Sequence, residues 1–254
     1  MFIVWGKKLV YRGLGHVGDF CPICRVPRPF TVRRVGLAGH VYYITSGEGE
    51  LVGHERICKE CGIELNAEPA TYASFSKTML PLPELLAKTY PNFHAALKNR
   101  LALEEQVRTA VGFISPQERE QLIQLPFLLL SPRVETRLAS MSFDLKAGLT
   151  ILGAILFAPA VIGLFTALLP LGTEEAYVIV PVILIALGVV MWQMAGVGPR
   201  FVKAKILPTL AKTLRPLKPR EDEIQGVLDL LKKNKHKLGS KMKVGDLFEA
   251  LAAA

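Results

Sequence analysis

"FCPICRVPRPF", residues Phe20 to Phe30, carries two of the chain's four cysteines. Cys21-Pro22-Ile23-Cys24 lets one tight turn point two thiolates at one ion, and a tetrahedral metal then needs a second such turn from elsewhere in the chain. "ICKECG" supplies it, with Cys58 and Cys61 at the same spacing and 33 residues between the two pairs. Four thiolates close a coordination shell, which leaves no open position for hydrolytic chemistry. Gly62 after Cys61 suits a knuckle turn of positive φ, whereas Arg25 fills the equivalent place after Cys24 and departs from that pattern.

The competing reading is a redox dithiol. A Cys-Pro-x-Cys sequence is similar to a glutaredoxin-like active site, but that site sits at a helix start after a strand of a βαβ unit. Here Pro27 and Pro29 follow at once and a strand comes next, and a second CxxC is superfluous for redox work. His16, His40 and His54 lie nearby and offer a Cys₃His combination, against a cysteine set that is already complete. The expected cofactor is one structural Zn²⁺ per chain, held by Cys21, Cys24, Cys58 and Cys61. Such binding supplies ~10–16 kcal/mol, enough to fold a small domain with a thin core.

Outward from the knuckles, residues 1–71 read as a small β domain. "FTVRRVG", "HVYYIT" and "ELVGHERI" are rich in β-branched and aromatic residues, and "SGEGE" (Ser46–Glu50) is a hairpin signal whose Gly47 and Gly49 can take positive φ. The opening "FIVWGKKLVYRGLGHVGDFCPIC" and the returning "CKECG" resemble bacterial zinc-ribbon domain proteins that begin with a Phe-x-x-Trp/Phe-Gly signature. The resemblance covers about residues 1–70 and implies that Cys21, Cys24, Cys58 and Cys61 are the zinc ligands. That family has no assigned reaction.

Residues 72–147 turn helical and read as an all-α module of short helices. Ser115-Pro116-Gln117-Glu118 has the makings of a capping box with Pro at N1. The helix it opens should kink or break at Pro126, and Ser131 should cap another.

Gly148–Leu171 has no charge across 24 residues and Ala176–Gly198 none across 23. A bilayer core of ~30 Å needs about 20 apolar helical residues, so the two predict a transmembrane hairpin over 148–198, joined by "GTEE". The competing reading is a pair of buried helices in a soluble protein. Lys146 before the first span and Arg200, Lys203 and Lys205 after the second place both ends in the cytosol, with Glu174 and Glu175 outside. No cleavable secretion signal is visible, since Lys7 and Lys8 end the first apolar run. The expected location is the inner (cytoplasmic) membrane.

The net charge of +9 is concentrated in residues 199–254, a basic juxtamembrane segment followed by C-terminal helices, with thirteen basic against six acidic residues. "PRFVKAKILPTLAKTLRPLKPRE" is basic and broken by prolines, and is expected on an anionic membrane surface. Ile224, Val227, Leu228 and Leu231 line one helical face; Val244, Leu247, Phe248 and Leu251 begin another. No Ser-His-Asp set or HExxH is present, and "GLGHVG" opens no helix, so no enzyme is expected. The fold class is thus a small all-β zinc ribbon, an α-helical module, a two-helix transmembrane hairpin and a helical basic tail. The expected function is a membrane-anchored adaptor for a protein partner, with Arg25, Arg28, Arg33 and Arg34 as candidate binding residues and homo-oligomerisation open through small residues in the spans. The alternative is a membrane-tethered nucleic-acid binder using that basic face and "KKNKHKLGSKMK".

Overall fold

A computed structural model of the chain describes residues 5–42, 44–45, 47–139, 145–168 and 176–253. Five strands, β1 (Trp5–Cys21), β2 (Val26–Val41), β3 (Ile44–Thr45), β4 (Glu50–Cys58) and β5 (Glu64–Asn66), form one antiparallel sheet in the order β1-β2-β4-β5, with β3 paired to β2. β1 and β2 pair from Cys21↔Val26 out to Trp5↔Val41, a longer ribbon than the separate short strands the sequence suggests. It stays continuous because its one irregularity, between Gly13 and Gly15, is a bulge, which bends a strand without ending it; the β2–β4 pairing carries another at Val35/Gly36. Gly47 and Gly49 take φ of 70° and 66°, as the turn signal requires; Ser46 of that signal, and Met1–Val4 of the opening signature, lie outside the described residues.

The chain divides into two compact units. The first comprises Met1–Leu129 and Thr209–Arg220, the second Leu130–Pro208 and Glu221–Ala253. In the first, helices α1 (Leu82–Thr89), α2 (Phe93–Ala96) and α3 (Lys98–Thr109) do not stand apart as a module. α1 lies on β1 so closely that a Cβ on Gly18 would come within 2.7 Å of the Leu86 side chain, and Gly18 N–H donates to Thr89 Oγ1 at 3.1 Å. The Arg100 guanidinium of α3 sits over the Phe20 ring. Val17, Phe30, Val32, Ile63, Leu85 and Phe93 are buried in this shared core.

α4 (Pro116–Ala139) begins at the predicted capping box. Glu118 N–H donates to Ser115 Oγ at 3.3 Å, and the Glu118 carboxylate accepts from the Ser115 hydroxyl at 2.6 Å and from its N–H at 3.3 Å. Ser115→Ala should cost about 1 kcal/mol, read as a lower unfolding midpoint in denaturant. The expected break at Pro126 does not occur: α4 runs through Pro126 and Pro132. Each proline forfeits one backbone bond, and burial outweighs that loss, with Leu122, Ile123 and Phe127 covered in the first unit and Leu130 and Val134 in the second. Ser131 is therefore a buried residue inside the helix and not a cap.

In the second unit α5 (Leu145–Leu168) lies against α6 (Ala176–Phe201). α6 continues through a π-helical turn, Val202–Ile206, into α7 (Leu207–Leu214). One helix, Ile179–Leu217, is long and apolar enough to cross a membrane, with a mean hydropathy of 2.1 and none of its apolar window buried in protein. Ile185, Met191 and Trp192 are exposed along it, as is Phe157 on α5. The "GTEE" turn lies outside the described residues. α8 (Glu221–Lys233) buries Ile224, Val227, Leu228 and Leu231, the face its spacing requires. α9 (Lys237–Lys241) and α10 (Val244–Ala253) follow, burying Leu238 and Leu247; Val244, Phe248 and Leu251 are half-buried.

One expectation for the tail is corrected. Residues 209–220 do not form a surface segment: α7 ends at Leu214, before Pro216, but Leu210, Ala211, Leu214 and Leu217 are fully buried in the first unit. Their spacing is one face of a helix, overlaid in the sequence by Lys212, Arg215 and Lys218 on the others.

Candidate metal centre

β2 runs away from the β1–β2 turn and β4 runs back beside it, with Phe30 opposite Cys58. The β1–β2 and β4–β5 turns therefore meet at one end of the sheet. The four sulfurs converge there, all within 4.8 Å of one another, with Cys21 Sγ 3.6 Å from Cys61 Sγ and Cys24 Sγ 4.0 Å from Cys58 Sγ. A disulfide needs about 2.05 Å, and none of the four cysteines is in one. A tetrahedral ion with metal–sulfur bonds of ~2.3 Å sets its sulfurs ~3.8 Å apart, a value the two measured distances bracket. The cluster can hold a metal ion, and among the described residues it is the only group of three or more such side chains that can. None of the three neighbouring histidines joins it; His16 Nδ1 instead lies 3.2 Å from Thr31 Oγ1.

The two knuckles share one backbone geometry. Arg25 N–H donates to Cys21 C=O at 2.7 Å, and Gly62 N–H to Cys58 C=O at 2.9 Å. Both following residues are left-handed, Arg25 at φ 60° and Gly62 at φ 67°. Cys24 N–H also points at Cys21 Sγ, 3.4 Å away. Hydrogen bonds from Cys21, then Cys24 and Cys61, hold the Cys58 thiol far below its ordinary value, while bonds to Cys24, Cys58 and Cys61, together with burial, push Cys21 far up. Four adjacent sulfurs cannot all carry charge unaided; a bound cation would take the place of the retained protons.

A left-handed arginine is costly without a counterweight, and Arg25 has one. Its side chain is 7% exposed and meets Glu104 of α3, itself 3% exposed, with Nε donating to Oε2 at 2.8 Å and Nη2 at 2.7 Å from the same oxygen as an ion-pair contact. Arg100 Nη2 lies 2.7 Å from the other carboxylate oxygen, and Arg108 Nη2 donates to the Arg25 carbonyl at 3.2 Å. Burial pulls the Arg25 guanidinium below its usual range, opposed by the Glu104 charge. Arg25 thus braces the knuckle from inside. Arg33 pairs with Glu55 and Glu64 and lies over the Tyr11 ring; Arg34 donates to the carbonyls of Glu48 and Gly49. Arg28 is half-buried, with Nε in no hydrogen bond.

Two contacts come from the returning segment. Thr213 Oγ1 lies 2.8 Å from the Ile23 carbonyl, inside the first knuckle, and Lys212 Nζ 4.0 Å from Glu60 in the second. Thr213→Val would leave the Ile23 carbonyl unpartnered at a cost of about 1–3 kcal/mol. The expected result is faster metal loss to a chelator at unchanged stoichiometry. Nothing local in the sequence marks this contact, since 190 residues separate the partners. Compared with known proteins, the chain matches no protein-family model, no curated protein and no solved structure.

Proposed function

We propose that this is a membrane-anchored zinc-ribbon protein that acts as a non-enzymatic adaptor, presenting a metal-stapled sheet to a protein partner at the cytosolic face. The observation that carries the reading is a four-cysteine cluster on a chain with a helix long and apolar enough to cross a membrane, its apolar window unburied. Zinc is the ion of choice because soft thiolates in a tetrahedral set select it and a shell of four excludes substrate. The anchor is a two-span hairpin of α5 and α6, supported by the charge-free lengths and by the basic residues that follow α6. Both termini then face the cytosol.

Adaptor is preferred to nucleic-acid binder because three of the four arginines of the candidate face are committed to contacts within their own unit. Arg25 is buried against Glu104, and Arg33 and Arg34 are tied to the sheet. In membrane vesicles of known orientation, protease added on the cytosolic side should cut tags at both ends of the full chain, and the protein should resist alkaline extraction. A tag protected at one end contradicts the hairpin. A partner crosslinked to wild type should be lost with Cys58→Ser, and its retention contradicts a role for the ribbon. Steeply salt-dependent binding of DNA or RNA by the full chain would favour the other reading.

A further inference from the structure

The sheet end farthest from the cysteines is unusually bare. Trp5 pairs with Val41, and Val41 pairs in turn with Ile44, so the three form one row across β1, β2 and β3. They are 80%, 53% and 78% exposed. Leu9 and Tyr11, two and three residue pairs along the same face of β1, are exposed as well. Lys7 stands between Trp5 and Leu9 on that face, and Lys8, opposite Ala38, projects from the other face at the same end of the ribbon; both are exposed and carry no ion pair among the described residues. Residues 5–12 and 34–45 contain no aspartate or glutamate, while Arg12 and Arg34 are already engaged with Glu48. On the opposite face of β2 Ala38 is buried.

A patch of this composition has an identifiable partner. Tryptophan and aliphatic side chains beside unpaired lysines match the interfacial layer of a bilayer, where amphipathic aromatic rings sit at headgroup level and lysines meet anionic phosphates. A second copy fits poorly, because pairing the free β1 edges of two chains would bring Lys7 and Lys8 of each against one another without a carboxylate to match. We propose that the tip of the β1–β2 ribbon docks on an anionic lipid surface, with the Trp5–Val41–Ile44 row entering the headgroup layer and Lys7 and Lys8 on the lipid phosphates. This rests on the membrane-anchor reading above, since the anchor keeps the tip near a bilayer and raises its effective concentration there.

The chain has two tryptophans, Trp5 and Trp192, so single replacements give each its own signal. The full-length Trp192→Phe variant, reconstituted in nanodiscs of anionic lipid brominated high on the acyl chain, should show blue-shifted Trp5 emission that loses most of its intensity to bromine. In zwitterionic discs, or with Lys7→Glu and Lys8→Glu added, the quenching should disappear while metal content is retained. Trp5 emission unquenched in anionic discs, or quenched equally whatever the lipid charge, overturns the proposal; a blue shift without quenching means a protein surface covers the tip and overturns it too. The Trp5→Phe variant reports on Trp192 in the same discs. If Trp192 is unquenched, the anchor itself fails; if Trp192 is quenched and Trp5 is not, only the docking of the tip fails.

Discussion

Replacing Cys58 by serine is expected to unfold the sheet as well as empty the metal site. Cys58 is 1% exposed, ends β4 and stands opposite Phe30, while its N–H closes the second knuckle on the Ile63 carbonyl at 3.0 Å. Without it the remaining sulfurs are three, two of them in the other hairpin, and the metal link between the β1–β2 and β4–β5 turns is broken. A structural zinc contributes ~10–16 kcal/mol, against a net stability of about 5–15 kcal/mol for a whole domain. Hydrogen exchange should therefore show protection lost across β1, β2 and β4 in Cys58→Ser, and equally in wild type stripped by a chelator, while α5 and α6 keep theirs. An unchanged exchange pattern in the sheet would contradict this account.

Glu104→Ala is expected to be the most damaging change away from the cysteines. It leaves the Arg25 guanidinium buried beside Arg100 and Arg108 with no anion, and breaking such a pair from one side costs about 3–5 kcal/mol. Removing both charges is a different matter. Arg25→Gly relieves the left-handed strain at φ 60° and takes away the cation, so combined with Glu104→Ala it should recover most of the loss. A double-mutant cycle on unfolding free energy measures this coupling. Additive costs would mean that Arg25 and Glu104 act independently. The knuckle should weaken with the pair, so Glu104→Ala should also release metal faster than wild type.

The parts legible in the sequence were those encoded by short spacing. Two CxxC pairs sufficed for the cluster, Ser115 and Glu118 for the cap, and Ile224, Val227, Leu228 and Leu231 for the buried face of α8. Contacts between distant residues were not legible. Nothing near Arg25 points to Glu104, 79 residues on, and nothing near Ile23 points to Thr213. Composition also misled in two places. Lysines and prolines in 199–220 hide the apolar period at 210, 211, 214 and 217, and Pro126 and Pro132 suggest an end to a helix that burial carries through. Arg25 looked like a surface cation because exposure is the usual fate of arginine; its burial follows from the left-handed turn, which turns it inward to Glu104.

X-ray absorption at the zinc edge of the purified full-length protein, with metal content measured on the same sample, tests the central claim most directly. The account predicts one zinc per chain with four sulfur neighbours at about 2.3 Å and no nitrogen or oxygen neighbour. A folded chain without metal, or a zinc shell containing a histidine nitrogen or a water, would contradict it.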